Sequence, residues 1–336
     1  MVEPRVMDAN IDRAASFIAD QFARYRVSTP SVSVLGRART EAAHQTLERF
    51  RPRALELAAA MDDGEPGAAE AYGAHVERAL AHMRQAVDET AASALQRWAA
   101  RAHRVFGDTD EAEYLDDPDF DPVMRVQMLE DLDAINTTVG NYRSFFAQME
   151  PLLVLGRPTR VLDLAAGHGG FALEVARIAG SLGIEVEMTA TDLRAEYLAL
   201  GEATARNEGL KVHFKVQDAL DLSNLEPGAY DIVVCTQSIH HFPASMTARM
   251  FREASKAAGR GVVFIDGCRS MLLGAVIRSF GLLRYRNPGL AHDAWVSFRR
   301  FYSPEELGLI AQLGPEGPRV EATWMPPAHC LLRYRS

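Results

Sequence analysis

The sequence predicts an α/β fold in which a mostly parallel sheet follows an all-helical N-terminal region. Between residues 160 and 266, short apolar runs alternate with segments of helical periodicity, a pattern typical of parallel strands joined by helices. Residues 1 to about 107 show helical apolar spacing throughout. Two later apolar runs, Val320 to Met325 and Cys330 to Arg335, predict a terminal hairpin added to the sheet.

The order of elements follows from the same periodicities. The strands are predicted at residues 160–165, 185–192, 211–217, 230–236 and 260–266, with helices at 170–182, 194–207 and 245–258. A further apolar helix is expected from Met271 to Leu283. The run Ser303-Pro304-Glu305-Glu306 is a capping box with proline at the first helical position, so it predicts a helix to about Leu313.

The helical N-terminal region is expected to form a domain of its own. Its main helices are predicted at residues 40–61 and 68–106, and the acidic run 108–122 is interpreted as a solvated linker. The sequence then divides into a helical domain, residues 1–120, and a second domain, residues 121–336. A lid, a dimerisation module and a platform for a partner all remain open for the first. Its histidines stand singly among polar helical positions and are expected to be solvated: His44, His75, His82 and His103.

Composition limits the functional classes. The 336 residues carry a net charge of −9, which disfavours a nucleic-acid-coating protein with a basic face. The cysteines Cys235, Cys268 and Cys330 lack C-x-x-C spacing, so buried reduced thiols are expected, without a disulfide framework or a metal site. Neither a leader-like apolar core nor a run of about eighteen apolar residues occurs. A cytoplasmic protein without a membrane partner is therefore expected.

The chain is organised around residues 160–171, RVLDLAAGHGGF. An apolar strand ends at Asp163, a turn rich in glycine follows, and a helical pattern begins at Phe171. Glycines in such a turn let a ligand approach the backbone, and the helix N-terminus offers free N–H groups. Asp192 ends the next strand, where an acid can accept hydrogen bonds from ribose hydroxyls.

Two classes of cofactor fit this turn. Gly167, Gly169 and Ala172 satisfy the G-x-G-x-x-G/A fingerprint of dinucleotide sites, so NAD is one candidate. Asp163 favours the other, because a carboxylate beside the turn repels phosphates and attracts the sulfonium and ammonium of S-adenosylmethionine.

At this point the sequence resembles the class I S-adenosylmethionine-dependent methyltransferases. VLDLAAGHGG is similar to their first motif, with Ala165 where glycine is usual, and TDL, VQDAL and YDIVVCTQSIHHF resemble the next three in order. The resemblance implies a Rossmann-like seven-stranded methyltransferase sheet with a C-terminal antiparallel hairpin. It also implies cofactor contacts at Tyr142, Arg143, Asp163, Ala165, Gly167, Gly169, Asp192, Leu193, Asp218, Ala219, Thr236 and Gln237.

Three histidines are candidates for proton transfer from the methyl acceptor. His240 and His241 follow the fourth strand, whose carboxyl end faces the ligand crevice in open α/β sheets. His292 stands beside Asp293, and such a pair can hold one tautomer and raise basicity. For each histidine a packing or capping role remains the alternative. The resemblance is to ubiquinone- and menaquinone-type enzymes and to methyltransferases found beside type III polyketide synthases.

The predicted activity is methyl transfer to a small molecule, with a hydroxyl of an aromatic or polyketide-like compound favoured. The alternative is a catalytically silent cofactor-binding scaffold that regulates a partner enzyme. A set of arginines suggests an anionic or carrier-bound substrate, with a solvated face as the alternative: Arg269, Arg278, Arg284, Arg286, Arg299 and Arg300. No nucleic-acid partner is expected, and a homodimer would form through the N-terminal helices.

Overall fold

The computed structural model describes residues 30–107, 109–280, 282, 287–315 and 317–336. The first predicted amphipathic segment, with Ile11, Ile18 and Phe22, lies outside these residues. The helices are α1 (Pro30–Asp62), α2 (Ala68–Thr90), α3 (Ala94–Gly107), α4 (Pro122–Thr138), α5 (Asn141–Met149), α6 (Gly170–Leu182), α7 (Ala195–Glu208), α8 (Ala244–Ala257), α9 (Met271–Phe280), α10 (Pro288–Arg300) and α11 (Pro304–Gln312). The strands are β1 (Thr159–Asp163), β2 (Val186–Asp192), β3 (Val212–Val216), β4 (Tyr230–Thr236), β5 (Ala258–Gly267), β6 (Val320–Met325) and β7 (His329–Arg335).

The seven strands form one sheet in the order β3-β2-β1-β4-β5-β7-β6. The first five are parallel, and β7 runs antiparallel to both β5 and β6. The predicted Rossmann-like sheet with its terminal antiparallel hairpin is therefore confirmed. The strand order reverses between the neighbouring strands β1 and β4. The crevice at their carboxyl ends is therefore the expected ligand site.

The N-terminal helices pack directly against the sheet unit. Helices α1 and α2 share a continuous apolar core with α8, α11 and one face of β4 and β5, and Tyr72 and Met83 are among its most buried side chains. An ion pair of 2.7 Å joins Arg84 of α2 to the buried Glu306 of α11. The division at residue 120 and a dimer through these helices stay predictions.

The predicted long helix over residues 68–106 is wrong in one respect, because it is broken into α2 and α3. Ser93 caps α3: its hydroxyl accepts from the Gln96 amide at 3.1 Å, and the Gln96 side chain accepts from the Ser93 amide at 3.1 Å. This reciprocal pair is a capping box, which starts a new helix.

The N-terminal histidines also differ from the prediction. His75 and His103 are buried, and His82 bonds with Thr46 and Arg49. Only His44 of the four is exposed as predicted. The three cysteines are buried and free, as predicted. Among the described residues, every helix is too short or too polar to span a bilayer.

Candidate active site

The glycine turn after β1 has the backbone geometry that its sequence suggests. Gly167 and Gly169 have φ of 58° and 79°, and Ala165 has φ of 49° although it carries a Cβ. A Cβ on Gly169 would lie 2.7 Å from the ring of Phe214. The Gly167 amide donates to Asp192 Oδ2 at 2.9 Å, so the turn is held against the end of β2. Glycine is needed here for conformation and for space.

Asp163 lies beneath this turn in an unusual state for a carboxylate. It is 1% exposed, and neither of its oxygens has a hydrogen-bond partner among the described residues. Burial, together with the neighbouring Asp192 carboxylate, raises the pKa of Asp163 well above its usual range. A buried carboxyl without partners is costly. An ammonium group bound beside Asp163 would give this carboxyl a charged partner.

Asp192 is oriented by the backbone. Its Oδ1 accepts from the Arg194 amide at 2.9 Å, and its Oδ2 accepts from Gly167. Burial raises the pKa of Asp192, although these two amides lower it. The fixed carboxylate at the end of β2 keeps lone pairs for further donors, as an acceptor of ribose hydroxyls requires.

The helical cover of the turn uses Tyr142 in a way the sequence did not reveal. The Tyr142 hydroxyl donates to Asp133 Oδ1 at 2.6 Å, and Asp133 lies 3.6 Å from His168 Nε2. Burial and the Asp133 carboxylate raise the pKa of Tyr142 well above its usual range. Tyr142 therefore braces the turn, whereas Arg143 on the same helix is exposed. A ligand contact by either residue stays a prediction.

The remaining predicted cofactor residues lie at the carboxyl ends of β2, β3 and β4. Asp218 accepts from the Leu220 amide at 2.8 Å and thereby forms the turn after β3, and Ala219 is buried beside it. Leu193 is 66% exposed. Thr236, the last residue of β4, and Gln237 after it are half-buried. All the predicted positions except those on α5 thus follow the carboxyl ends of β1 to β4, at one edge of the sheet.

His240 lies in a short 3-10 turn, Ile239–His241, and is enclosed by two carboxylates. Its Nδ1 is 3.0 Å from Asp266 Oδ2, and its Nε2 is 3.5 Å from Glu113 Oε1. Although burial opposes it, Asp266 and Glu113 raise the pKa of His240 to about 10. An imidazole that stays protonated at neutral pH cannot accept a proton, so His240 is a poor general base in this state.

His241 is the more accessible member of the pair. Its side chain is 28% exposed, its Nδ1 is 3.1 Å from Asp116 Oδ2, and its Nε2 is 3.9 Å from Glu113 Oε2. The two imidazole rings lie with centroids 4.2 Å apart. Glu113, His240 and His241 thus form one cluster at the carboxyl ends of β4 and β5, hereafter the Glu–His–His cluster.

The structure places His292 in a different role. Its Nδ1 is 3.0 Å from Asp293, as the sequence suggested, and its ring packs on Tyr114 at 4.4 Å. Asp293 in turn accepts from the amides of Tyr114 and Leu115 at 2.8 and 3.0 Å. The pair anchors a loop. A proton-transfer role for His292 stays a prediction.

The acidic run interpreted as a solvated linker is a strap, residues 111–117, that crosses the edge of the sheet. Glu113 is 4% exposed. The Leu115 carbonyl accepts from the Tyr197 hydroxyl at 3.1 Å, and the Asp116 carbonyl accepts from Arg194 at 2.8 Å. The prediction of a solvated segment is therefore wrong for Glu113, although most other residues of the strap are exposed. The strap joins the Asp192 end of the crevice to the Glu–His–His cluster.

The arginines predicted to form an anion site are dispersed by the fold. Arg269 is buried and donates to the Phe301 carbonyl, and Arg278 lies over the Trp295 ring. Arg299 donates to the Phe106 carbonyl, and Arg300 donates to the Glu111 carbonyl. Arg284 and Arg286 lie outside the described residues. Four of the six are thus used to hold the structure together, and an anionic substrate stays a prediction without support from them.

Sequence reasoning missed four acidic residues of the site, namely Asp133, Glu113, Asp116 and Asp266. Asp266 is the penultimate residue of β5, and its position near a strand end is a signal that the sequence carries. The other three lie in α4 and the strap, and the histidines with which they pair are over thirty residues away in sequence. Local patterns cannot show such pairings.

Comparisons with known proteins agree with this geometry. Residues 161–261 match the family of methyltransferase domains. The ubiquinone biosynthesis O-methyltransferase of Bordetella parapertussis is 29% identical over 165 residues, which are 48% of this chain and 64% of that protein. The enzyme of the same name from Methylococcus capsulatus is 30% identical over 46% of this chain and 62% of its own length. The chain thus spans less than two thirds of these relatives.

A solved structure of a putative O-methyltransferase from Nostoc punctiforme aligns with 70% of this chain and 66% of its own, at 18% identity and a TM-score of 0.46. The matched segment, which is less than a third of the chain, lies within the seven-stranded sheet and is similar to a methyltransferase domain. S-adenosylmethionine is the cofactor of this domain.

Proposed function

We propose that this chain, through its class I methyltransferase domain, transfers a methyl group from S-adenosylmethionine to a hydroxyl of a small aromatic or polyketide-like acceptor. The observation that carries the proposal is the pair of carboxylates around the glycine turn. Asp163 is buried without a partner, and Asp192 is fixed by two backbone amides with lone pairs to spare. The first suits an ammonium group and the second suits ribose hydroxyls.

The residues present fit this cofactor better than NAD. Glycines at 167 and 169 leave the backbone of the turn open, and the buried acid at 163 disfavours a pyrophosphate there. When bound, S-adenosylmethionine supplies the activated methyl group. The chain's own residues then hold and orient it. Asp192 would accept from the ribose hydroxyls, and Asp218 would accept from the adenine amino group.

The acceptor side of the proposal rests on the Glu–His–His cluster. A phenol has a pKa near 10, so its hydroxyl must be activated before it attacks the methyl group at neutral pH. The cluster follows β4 and β5, next to the strand end that carries Asp163, since the Ser238 hydroxyl donates to the Ala165 carbonyl at 2.8 Å. The strap lies beside the cluster and contributes the buried Glu113 to it. The names of the relatives support oxygen as the acceptor atom.

The test is transfer of a labelled methyl group from S-adenosylmethionine to a panel of hydroxylated benzoates, catechols and polyketide phenols, with matched amines and thiols. Label should move to oxygen acceptors. Asp192→Asn should abolish transfer, whereas Asp63→Asn, which removes the same charge from an exposed helix end, should retain it. Transfer only to amines or thiols would overturn the choice of acceptor. Cofactor binding without transfer to any acceptor would favour the silent scaffold.

A further inference from the structure

We propose that Glu113, His240 and His241 bind one divalent transition-metal ion, with Zn²⁺ preferred, beside the position of the methyl acceptor. The three ligand atoms all lie within 4.8 Å of one another. His240 Nε2 is 3.5 Å from one Glu113 oxygen, and His241 Nε2 is 3.9 Å from the other. Two imidazoles and one carboxylate form a common set for a first-row metal with open positions.

The orientation of both imidazoles supports a metal site. His240 Nδ1 faces Asp266 at 3.0 Å, and His241 Nδ1 faces Asp116 at 3.1 Å. Histidines that ligate metals usually donate the hydrogen of their other nitrogen to a carboxylate in this way, which fixes the tautomer. An ion bound here would displace the proton that His240 otherwise holds between its two carboxylates, and it would be bound by both Nε2 atoms, which face Glu113. Two independent carboxylate supports give the same orientation to two different rings.

The position of the carboxylate is supported as well. Glu113 is buried, and its Oε1 accepts from the Ser297 hydroxyl at 2.9 Å. The strap that carries it is held on both sides of Glu113, by Arg300 at Glu111 and by Asp293 at Tyr114. The position of Glu113 is therefore fixed by contacts of the strap on both sides of it. The same distances also fit ion pairs between Glu113 and two imidazoles protonated at Nε2. The metal titration distinguishes these ion pairs from a bound metal ion.

The spacing favours a tetrahedral ion. Zinc–ligand bonds of about 2.0–2.1 Å at tetrahedral angles put ligand atoms about 3.4 Å apart. The two Nε2 atoms lie 3.5 and 3.9 Å from the two different oxygens of Glu113, and the ligand atoms lie within 4.8 Å of one another, so the three groups must draw together around an ion. Octahedral Mg²⁺ would need separations of about 3 Å and prefers oxygen ligands. Three protein ligands leave a fourth position open, as in zinc sites that act on a bound molecule.

This inference deepens the proposed function, on which its catalytic part rests. An acceptor hydroxyl bound at the open position would have its pKa lowered by the metal. Its proton leaves to solvent water, and the oxygen forms a bond to the methyl carbon. The carbon–sulfur bond breaks with its electron pair left on sulfur, which becomes a neutral thioether. The metal is unchanged, and His241 acts as a ligand in place of a proton acceptor.

The experiment titrates Zn²⁺ and Co²⁺ into the chelator-treated full chain, without cofactor or acceptor, and measures metal content and the visible absorption of Co²⁺. One ion per chain is expected, with a Co²⁺ spectrum of low coordination number. Glu113→Gln and His241→Gln should each weaken binding at least about 100-fold, more than loss of a supporting residue does. His44→Gln removes an exposed histidine of α1 and should bind as the wild type does.

Circular dichroism and thermal unfolding of each variant show whether it is folded, and Glu113→Gln is the decisive variant if His241→Gln fails to fold. No stoichiometric binding by the wild type, or equal binding by wild type and a folded Glu113→Gln, would overturn the site. Titration with S-adenosylmethionine reports the proposed function separately. Cofactor binding without metal binding refutes this inference alone, and metal binding without cofactor binding refutes the proposed function alone.

Discussion

Replacing Asp293 by alanine should release the strap from the body of the protein. The Asp293 carboxylate accepts from the amides of Tyr114 and Leu115 at 2.8 and 3.0 Å. Hydrogen bonds to a charged group contribute about 1.5–3 kcal/mol each. Tyr114 is 41% exposed, so water replaces part of what is lost, and the lower end of the range applies. We therefore expect opening of the strap to become easier by about 3 kcal/mol, or about 150-fold.

The assay is amide hydrogen exchange at Asp116, whose N–H donates to the Glu113 carbonyl at 3.1 Å and does not touch Asp293 itself. Its exchange should become about 100-fold faster in Asp293→Ala. Asp119→Ala removes an exposed acid from the same acidic run and should leave the rate unchanged. A folded Asp293→Ala protein in which Asp116 exchanges at the wild-type rate would refute the assignment of Asp293 as the anchor.

Three further predictions follow from burial and charge. Burial lowers the pKa of both His103 and His329 to about 4 from 6.5, so the unfolded chain binds more protons below 6.5 and stability falls as the pH drops from 6.5 to 4. Each histidine should lower the free energy of unfolding by about 2 kcal/mol at pH 5 relative to neutral pH. In urea unfolding, the free energy of His329→Gln should therefore fall by about 2 kcal/mol less over this pH range than that of the wild type. An equal fall in both proteins would contradict this prediction. In Gly201→Ala the new Cβ would clash with a backbone carbonyl of the glycine turn, so the folded protein should be destabilised by about 3 kcal/mol. In Gly180→Ala the new Cβ has open space around it, so the folded protein should be stabilised by about 0.5–1 kcal/mol. Urea unfolding that ranks the two variants the other way would be inconsistent with the packing. Binding of S-adenosylmethionine should lower the raised pKa of Asp163 and release a proton, so the affinity for the cofactor should rise with pH. The heat of binding measured by calorimetry should then differ between phosphate and Tris buffers, and Asp163→Asn should remove that difference. Equal heats for the wild type in the two buffers would argue against the ion pair.

The elements of the sheet were predictable because their signals are local. Helix α6 and strands β4 and β6 have the bounds that the periodicity predicted, and the other elements of the sheet unit differ by a few residues, whereas α1 begins ten residues before its predicted start. The capping box at Ser303 was also read correctly. Ser93 and Gln96 have the same capping-box spacing in the sequence, and the start of a helix there separates α2 from α3. The prediction of one helix over residues 68–106 did not include this signal.

The partners of the site residues were less predictable because they are distant in sequence. Glu113 meets His240 and Ser297 across more than 120 residues, and no periodicity encodes that contact. An acidic run is interpreted as a solvated segment when the sequence does not show which basic side chains pair with its carboxylates. The same reasoning accounts for His103, whose burial depends on tertiary packing and not on its neighbours along α3.

The cofactor assignment is tested most directly by calorimetric titration of the purified chain with S-adenosylmethionine, S-adenosylhomocysteine and NAD. The carboxylates Asp163 and Asp192 around the glycine turn predict binding of the two sulfur compounds in the micromolar range and no binding of NAD. Binding of NAD without either sulfur compound, or no binding of any of the three by the folded protein, would contradict it.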